Sequence, residues 1–363
     1  MKIVHVETGR NFYGGAQQVI WLLRGLNEKG VDSLLVCPPE SAIDKVARAT
    51  GIEVANIPCS GDADFAFPFR LRKLLRQEQP DLVHCHSRRG ADFPGGWGAL
   101  AAGIPAIVSR RVDSPESPTA ARIRYRPFRK VIAISENIAT VLGASRVPPE
   151  RLTVIRSAVD TDVVVLDADR EILQREFDIN SGAFAIAVVA QLIKRKGHRF
   201  LLDVLPGLVA EHPDIKVVFF GEGNSEAHLR TLARKLGCSA AVRFAGFRDN
   251  LDDYLSAFDL LVHPAEKEGL GVAMLKAAAA GLPVVAFDVA GSREAVQHLK
   301  TGILVPPGDV TALQTAIGTM YEEADIRVEL GAAGRKRMED EFSVATMVER
   351  YLDVYDEILN DRS

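Results

Sequence analysis

The chain has 363 residues, more than one hydrophobic core usually organises, which predicts two domains. Its composition, 47% hydrophobic and 25% charged, is typical of a globular protein and excludes a mainly disordered one. The four cysteines show no CxxC or metal-ligand spacing, which favours buried thiols in a reducing cytoplasm. The N-terminal residues 1–7 meet a charge, at Glu7, too early for a signal peptide. No uncharged apolar stretch reaches the ~18 residues of a membrane span.

The net charge of −4 is divided unevenly along the chain. Residues 1–165 carry 22 Lys and Arg against 17 Asp and Glu, whereas the remainder carries 22 against 31. This asymmetry predicts that the first half meets an anionic surface or substrate.

Short β-branched runs alternate with helical patterns along the whole chain, which predicts parallel sheets covered by helices on both faces. The first series of predicted strands is 2–8, 32–38, 54–58, 81–87, 105–111, 131–135 and 152–158. A polar stretch at 160–169 suits a linker. The second series is 184–190, 215–221, 242–247, 260–264, 283–287 and 303–305, followed by helices at 310–323, 325–341 and 343–359.

Ligands of open α/β sheets bind beyond the carboxyl ends of the strands, so the turns after the strands carry the candidate site residues. In the first turn, Gly14 and Gly15 precede a helix and would let the backbone approach a diphosphate. A tight loop without a ligand is the alternative. The GxGxxG spacing of dinucleotide sites is absent there, which argues against a nicotinamide-dependent dehydrogenase.

Basic residues follow the fourth and fifth strands and predict a phosphate-bearing or acidic substrate. The alternative is a solvated basic rim, paired with Asp92 and Asp113. His86 lies nearer its strand end than His84 and is the better binding candidate. The basic residues are Arg88, Arg89, Arg110 and Arg111.

The second half repeats this pattern. Arg195 and Lys196 follow a strand, and their cations would neutralise a departing diphosphate, although a solvated basic turn is the alternative. Farther along, Phe247 follows a strand and could stack on a base. Residues 263–276 read as strand, acidic Gly-rich turn and helix, which places Glu268 and free backbone N–H groups where a phosphorylated ligand would bind.

Two Asp-Ala-Asp tripeptides, 62–64 and 167–169, match the DxD pattern of metal-dependent sugar transferases. Neither has the strand context that such a metal site needs, so we predict no metal.

Taken in order, the motifs resemble those of glycosyltransferase family 4, and the resemblance covers nearly the whole chain. The matching segments are Gly14-Gly15, residues 80–87 (PDLVHCHS), 154–160 (VIRSAVD), Lys196-Gly197, 221–223 (GEG), 244–247 (FAGF), 268–271 (EGLG), 281–286 (GLPVVA) and 291–294 (GSRE).

The resemblance implies an α/β protein with the GT-B fold, in which two Rossmann-like domains with parallel sheets face a central cleft. We expect an acceptor-binding domain at 1–162, a nucleotide-sugar-binding domain at 163–342, and a last helix, 343–363, that returns to the first domain. The implied activity is retaining transfer of a sugar from a nucleotide-sugar donor to a hydroxyl of a glycan or glycolipid, in surface polysaccharide or lipopolysaccharide synthesis. No cofactor and no essential metal are implied.

The resemblance also assigns roles to residues. Lys196, with Arg195, would stabilise the leaving diphosphate, and Glu268 would position the donor sugar. The other implied donor contacts are Gly15, Gly223, Phe247, Gly269, Leu270, Gly271, Lys276 and Glu294. The implied acceptor contacts are His86, Arg110 and Arg111.

Two residues depart from the family pattern. Gln191 stands where an Arg is common, and Lys276 stands where a carboxylate normally accepts hydrogen bonds from ribose. An ammonium has no acceptor lone pair, so Lys276 would bind phosphate, pair with Glu268 or donate to ribose oxygens. These departures keep two alternatives open: a non-catalytic protein that binds nucleotide sugar, and a nucleotide-sugar epimerase or hydrolase.

The segment 67–76 mixes apolar and cationic residues at helical spacing. A helix that packs Leu71, Leu74 and Leu75 on the sheet is the favoured interpretation, and an interfacial helix is the alternative. Together with the cations at 122–130, it predicts a peripheral contact with an anionic membrane and a lipid-linked acceptor. We expect no nucleic-acid partner.

Overall fold

The computed structural model describes residues 1–86, 90–248 and 250–361. The predicted loop residues Arg88 and Arg89 lie outside this part of the chain. The chain divides into two compact units, one formed by Met1–Ala158 with the residues from Val344 onward, and one formed by Val159–Ser343.

The first unit contains a seven-stranded sheet in which every paired strand runs parallel to its neighbour. Its order is β3-β2-β1-β4-β5-β6-β7. All of the strands predicted for the first half are present, each ending one to four residues before its predicted end. They are β1 (Lys2–Val6), β2 (Asp32–Cys37), β3 (Glu53–Asn56), β4 (Leu82–Cys85), β5 (Ala106–Arg110), β6 (Lys130–Ala133) and β7 (Leu152–Val154).

Helices cover both faces of this sheet because each presents an apolar stripe to it. They are α1 (Gly14–Glu28), α2 (Ala42–Ala49), α3 (Phe67–Glu78), α4 (Gly96–Ala102), α5 (Pro118–Tyr125) and α6 (Glu136–Ala144). In α3, Leu71 and Leu75 are buried and Leu74 is half-buried, as the favoured interpretation of this segment required. Serine side chains cap α2, α5 and α6 by accepting a backbone N–H three residues on.

The second unit contains a six-stranded parallel sheet in the order β10-β9-β8-β11-β12-β13. The strands are β8 (Phe184–Val189), β9 (Ile215–Phe220), β10 (Val242–Gly246), β11 (Leu260–His263), β12 (Val284–Phe287) and β13 (Gly302–Val305). The helices are α7 (Glu171–Phe177), α8 (His198–Glu211), α9 (Glu226–Lys235), α10 (Val272–Ala279), α11 (Ala290–Ala295), α12 (Val310–Glu322) and α13 (Ala324–Glu341). The prediction of two parallel-sheet, Rossmann-like domains is therefore confirmed.

In each sheet the strand order reverses next to its first strand, between β1 and β4 and between β8 and β11. Connections on either side of such a point leave to opposite faces and open a crevice beyond the carboxyl ends of the strands. The topology therefore directs attention to the turns after these four strands.

The last helix, α14 (Val344–Asn360), packs against α1 in the first unit. The chain passes from the first unit to the second between Ala158 and Val159, and it returns to the first between Ser343 and Val344. The predicted boundaries were 162/163 and 342/343. The first boundary falls earlier because the Val159 N–H donates to the carbonyl of Phe342 at 2.8 Å, which fixes Val159 in the second unit. Within the described residues, no helix is both long and apolar enough to cross a bilayer.

Candidate functional site

The second unit brings a cation and a carboxylate together beyond adjacent strands. Lys196 ends a short 3₁₀ turn after β8, and Glu268 lies in the loop after β11. The Lys196 ammonium donates to Oε2 of Glu268 at 2.5 Å. Nε2 of His263, the last residue of β11, lies 2.8 Å from the same oxygen. Sequence reasoning thus predicted the two principal residues of this cluster, and the switch in strand order explains why they meet.

Gly197 lets the two turns touch. Its φ of +71° is in the left-handed region, and a Cβ on it would lie 1.8 Å from the carbonyl oxygen of Pro264. Next to it, the Glu266 N–H donates to the carbonyl of Arg195 at 2.9 Å. Only glycine permits this approach, so the backbone itself sets the distance between Lys196 and Glu268.

The groups around Glu268 stabilise its ionised form. Burial alone would raise the pKa of Glu268, but the hydrogen bond and charge of His263, together with the Lys196 charge, outweigh burial and lower it well below its ordinary value. Glu268 is consequently a carboxylate at any physiological pH and can accept hydrogen bonds from sugar hydroxyls. Arg195 is exposed and donates to the carbonyl of Lys267 at 3.3 Å, beside the cluster.

The loop after Glu268 leads into α10 with free backbone donors. Gly271 is the N-cap, with a φ of +76°, and no side chain caps the helix. Leu270 is 3% exposed and packs in the core, so only its backbone is available to a ligand. Gly291, at the start of α11, approaches so closely that a Cβ on it would lie 2.5 Å from the carbonyl oxygen of Glu268. Glu294 lies on the same short helix α11.

Two further predicted donor contacts lie on turns beyond β9 and β10. Gly223 is required by packing, because a Cβ on it would lie 2.3 Å from the carbonyl oxygen of Leu192. Phe247 has 61% of its surface exposed, which leaves the ring open to stack on a flat ligand.

Lys276 does not pair with Glu268. Its ammonium donates to Oδ2 of Asp252 at 2.6 Å, and each of these two side chains is 21% exposed. Of the three alternatives for Lys276, the pairing with Glu268 is therefore not the one that the structure shows, because Asp252 lies within reach of Lys276 and Glu268 is already held by Lys196 and His263. The second oxygen of Asp252, Oδ1, is buried and has no hydrogen-bond partner within the described residues.

In the first unit, His86 belongs to a buried group with His5 and His84. His5 Nδ1 lies 3.0 Å from His86 Nε2, and all three side chains are fully buried. Burial lowers the pKa of His5 to about 3 and those of His84 and His86 well below their ordinary value, with the neighbouring histidines and Arg111 contributing to the last two. These rings are neutral at physiological pH.

The ring nitrogens of the three histidines lie within 4.8 Å of one another, close enough for a metal ion. His84, however, already uses both nitrogens, with Ser109 Oγ at 2.8 Å from Nε2 and Tyr355 Oη at 2.8 Å from Nδ1. The arrangement is that of a buried hydrogen-bond network that joins α14 to β4 and β5.

The two arginines after β5 differ. Arg110 is 3% exposed and donates to the carbonyls of Val112 and Ser114 and to Glu116, at 2.9, 2.7 and 3.2 Å. Its role as an acceptor contact is therefore corrected: it holds the loop after β5. Arg111 lies against the start of α1, where a Cβ added to Gly15 would lie 3.4 Å from Cδ of Arg111. Its Nε and Nη2 have no partner within the described residues, which leaves donors for an anion.

Sequence reasoning missed His263 and Asp252 as members of these clusters. The available signal for His263 was its position as the last residue of a strand, five residues before Glu268. Asp252 carried no signal, because its relation to Lys276 arises only when the segment after β10 packs beside α10.

Comparison with known proteins agrees with this architecture. The model of the glycosyl transferases group 1 matches residues 169–337, and the model of Glycosyltransferase Family 4 matches residues 13–163. Between them they span most of the chain, one model for each half.

Two curated relatives from Rhizobium meliloti are lipopolysaccharide core biosynthesis glycosyltransferases. LpsE is 26% identical, with 97% of this chain and 98% of the relative covered. LpsD is also 26% identical, with 98% of each covered. Among solved structures, Anabaena Alr3699/HepE in complex with UDP superposes with a TM-score of 0.87 at 19% identity, covering 98% of this chain and 100% of that one. The chain therefore belongs to glycosyltransferase family 4 and is a glycosyltransferase with the GT-B fold.

Proposed function

We propose that the protein transfers a sugar, with retention of configuration, from a UDP-sugar to a hydroxyl of a surface-glycan or lipopolysaccharide-type acceptor. The observation that carries this proposal is the cluster of Lys196, Glu268 and His263 at the crevice between β8 and β11. UDP is the ligand of Anabaena HepE, and the Rhizobium relatives are lipopolysaccharide core enzymes, which supports the donor and the acceptor class.

On the donor side, negative charge grows on the diphosphate as the sugar–phosphate bond breaks. Lys196 and Arg195 would neutralise it, and the free N–H groups at the start of α10 would bind phosphate or sugar oxygens. Glu268 would accept hydrogen bonds from the sugar hydroxyls and hold the ring in place. Phe247 would stack on the base, and Gly223 and Glu294, which belong to the same unit, would contact the donor.

On the acceptor side, Arg111 and the adjacent Gly15 are the residues that we assign to an anionic group of the acceptor or of the donor diphosphate. The proposed location is cytoplasmic and peripheral to the inner face of the membrane, where a lipid-linked acceptor would be met. The reaction as proposed uses no cofactor and no metal.

The test is the slow hydrolysis of UDP-sugars by the purified protein, in which water takes the place of the acceptor hydroxyl. We expect Lys196→Ala to lower this rate by about 100-fold or more, because it removes a cation from the developing diphosphate charge. Lys194→Ala is the matched control, since Lys194 is exposed on the same turn, and it should leave the rate unchanged.

Equal rates in Lys196→Ala and the unmodified protein would refute the assigned role. Inversion at carbon 2 of the sugar without an acceptor would identify an epimerase instead. Calorimetric binding of UDP-sugar without any turnover, even with acceptor glycans present, would identify a non-catalytic binding protein.

A further inference from the structure

Glu268 has little hydrogen-bonding capacity to spare. A carboxylate offers about four acceptor positions, two on each oxygen. Both positions on Oε2 are occupied, by the ammonium of Lys196 at 2.5 Å and by Nε2 of His263 at 2.8 Å. The other oxygen, Oε1, accepts the N–H of Gly269 at 3.1 Å. A sugar hydroxyl that is to bind Oε2 must therefore displace one of its two donors.

His263 is the fixed donor of the two. It ends β11, where its backbone is paired in register with Ala286 of β12, and its side chain is 2% exposed. A ring that is packed in this way has two side-chain torsions and little room to turn about either. We therefore expect His263 to keep its hydrogen bond to Glu268 when a ligand enters the site.

Lys196 is the donor that can move. Its ammonium stands at the end of a flexible four-carbon stem and carries three N–H groups, one of which is directed at Glu268. Its backbone, by contrast, is fixed, because the next residue, Gly197, is packed against the carbonyl of Pro264. A change of partner at Lys196 thus requires rotation of one side chain and no movement of the loop.

The carboxylate itself is also held in place. A Cβ on Gly271 would lie 3.3 Å from Cγ of Glu268, so the stem of the glutamate packs against the loop that follows it. If Lys196 leaves, the hydrogen bonds from His263 and from the Gly269 N–H remain. They offset the loss of the ammonium, whereas a carboxylate that is only 11% exposed would otherwise be left without a side-chain donor.

Charge favours the change of partner when a diphosphate arrives. A diphosphate carries more negative charge than one carboxylate, and its oxygens are strong acceptors for an ammonium. The free N–H groups at the start of α10 would bind the same anion. The ammonium of Lys196 then gains a better acceptor at no cost in backbone structure.

We propose that Lys196 exchanges partners when the donor binds. Its ammonium leaves Oε2 of Glu268 for an oxygen of the diphosphate, and a hydroxyl of the donor sugar takes its place on Oε2. His263 is the positioning residue of this exchange, because it holds Glu268 while Lys196 moves. The proposal rests on the proposed function for the nature of the donor, and it deepens that function by making recognition of the sugar depend on the diphosphate.

The first experiment follows the carboxylate of Glu268 by carbon NMR, in the full-length protein with isotope-labelled Cδ in its glutamates. The signal is assigned by its loss in Glu268→Gln. We expect UDP, and separately inorganic pyrophosphate, to shift this signal as the protein becomes saturated. In Lys196→Met, which has a side chain of similar length and no charge, the signal should already lie near the shifted position and should move little.

A Glu268 signal that stays unmoved at saturation, with saturation established by calorimetry, would overturn the proposal. Failure of both UDP and pyrophosphate to bind would overturn it too, because no anion would then draw the ammonium away. Pyrophosphate has neither base nor sugar, so its effect on Glu268 is independent of the identity of the donor. Hydrolysis of UDP-sugars, in contrast, tests the proposed function alone.

The second experiment separates the positioning role of His263 from support of the strand. His263→Leu should raise the dissociation constants of UDP and pyrophosphate about tenfold, because Glu268 then has no other side-chain donor when Lys196 leaves. His263→Gln, whose amide N–H can donate to the same oxygen, should bind within about threefold of the unmodified protein. Val262→Ala, at the preceding buried position of β11, is the matched control. It should lower the urea midpoint and leave the affinity for UDP unchanged.

Equal affinity for UDP in His263→Leu and in the unmodified protein would show that Glu268 does not need this donor, and the positioning role would be lost. An equal decrease in affinity in His263→Leu, His263→Gln and Val262→Ala would trace the effect to a damaged strand, with the same conclusion.

Discussion

Lys276 and Asp252 form a partly buried ion pair, and its two members depend on each other unequally. Lys276 has a flexible stem and a strongly hydrated head, so it could reach water if Asp252 were removed. One buried oxygen of Asp252 already lacks a partner among the described residues, and loss of Lys276 would remove the cation that pairs with the other oxygen. The lysine is therefore part of a local charge arrangement and not an isolated substitution in a familiar motif.

We expect Lys276→Glu to destabilise the second unit by about 1 to 3 kcal/mol, because it places a second carboxylate beside Asp252. Adding Asp252→Asn to this variant should recover much of the loss. The measurement is the urea midpoint of each single and double variant, analysed as a double-mutant cycle. Additive effects, with no coupling between the two positions, would contradict the importance of the pair.

His198 is buried at the start of α8, and both of its ring nitrogens lack a partner within the described residues. Burial, and then the charges of His263 and Lys196, lower its pKa from the ordinary 6.5 to about 4. The folded protein thus binds a proton less readily than the unfolded chain. The stabilising contribution of the neutral ring is complete above pH 6.5 and is lost as the pH falls from 6.5 towards 4.

Replacing His198 with Leu should therefore remove part of the acid sensitivity of the second unit. Between pH 7.5 and pH 4.5 we expect the loss of unfolding free energy to be smaller by about 2 to 3 kcal/mol in the variant. Denaturant unfolding at both pH values measures this difference, with the exposed His228→Gln as control. An identical pH dependence in His198→Leu would show that the ring is protonated without cost in the folded state.

At the residue scale, the sequence predicted Lys196 and Glu268 because each follows a strand, and strand ends share one edge of a parallel sheet. It could not predict that Arg110 donates its hydrogen bonds within its own loop, or that Asp252 forms an ion pair with Lys276. Both contacts depend on the path of a loop, and the hydrophobic periodicity of the sequence does not determine that path.

At the scale of elements, the helix α14 completes the first unit. Its buried face, with Met347, Val348 and Ile358, covers one side of the sheet and packs on α1. Gly25 of α1 allows the two helices to approach, since a Cβ there would lie 2.4 Å from Cγ2 of Val348. The hydroxyls of Tyr351 and Tyr355 add specific bonds to Ser109 and His84, at 2.9 and 2.8 Å.

Tyr355→Phe should destabilise the first unit by about 1 to 3 kcal/mol, because it leaves a buried nitrogen of His84 without its partner. Asp356→Asn, at the adjacent exposed position, is the control and should have little effect. Hydrogen exchange monitored by mass spectrometry should show faster exchange in peptides from β4 and β5, with the second unit unaffected. Unchanged exchange in those strands would mean that the hydroxyl contributes nothing.

The elements themselves were predictable from the chain. Every strand in the two series appears in the structure, because buried parallel strands are short apolar runs between turns. Helix α1 begins at Gly14, although the sequence placed Gly14 and Gly15 before the helix, since the helix extends through the glycine pair. The bounds of the last three helices lie within one residue of those predicted.

At the scale of the whole molecule, two units of like architecture differ in charge and in chemistry. The second unit carries the cluster of Lys196 and Glu268 and the more acidic sequence. The first carries Arg111, the exposed side chains of Phe65 and Phe69 and the more basic sequence. The difference in charge was predictable from the count of charged residues along the sequence. The exposure of the two phenylalanines was not, because a helical pattern alone does not distinguish a buried ring from an exposed one.

The packing of α14 also determines the order in which the protein can fold during its synthesis. The second unit is one continuous segment and can fold while the chain is still being made. The first unit is begun first, yet it waits for α14, which is synthesised after the whole of the second unit. Until then Ile3, Leu82 and Ile107 are not covered by α14. The half of the protein that is translated first is therefore the half that is finished last.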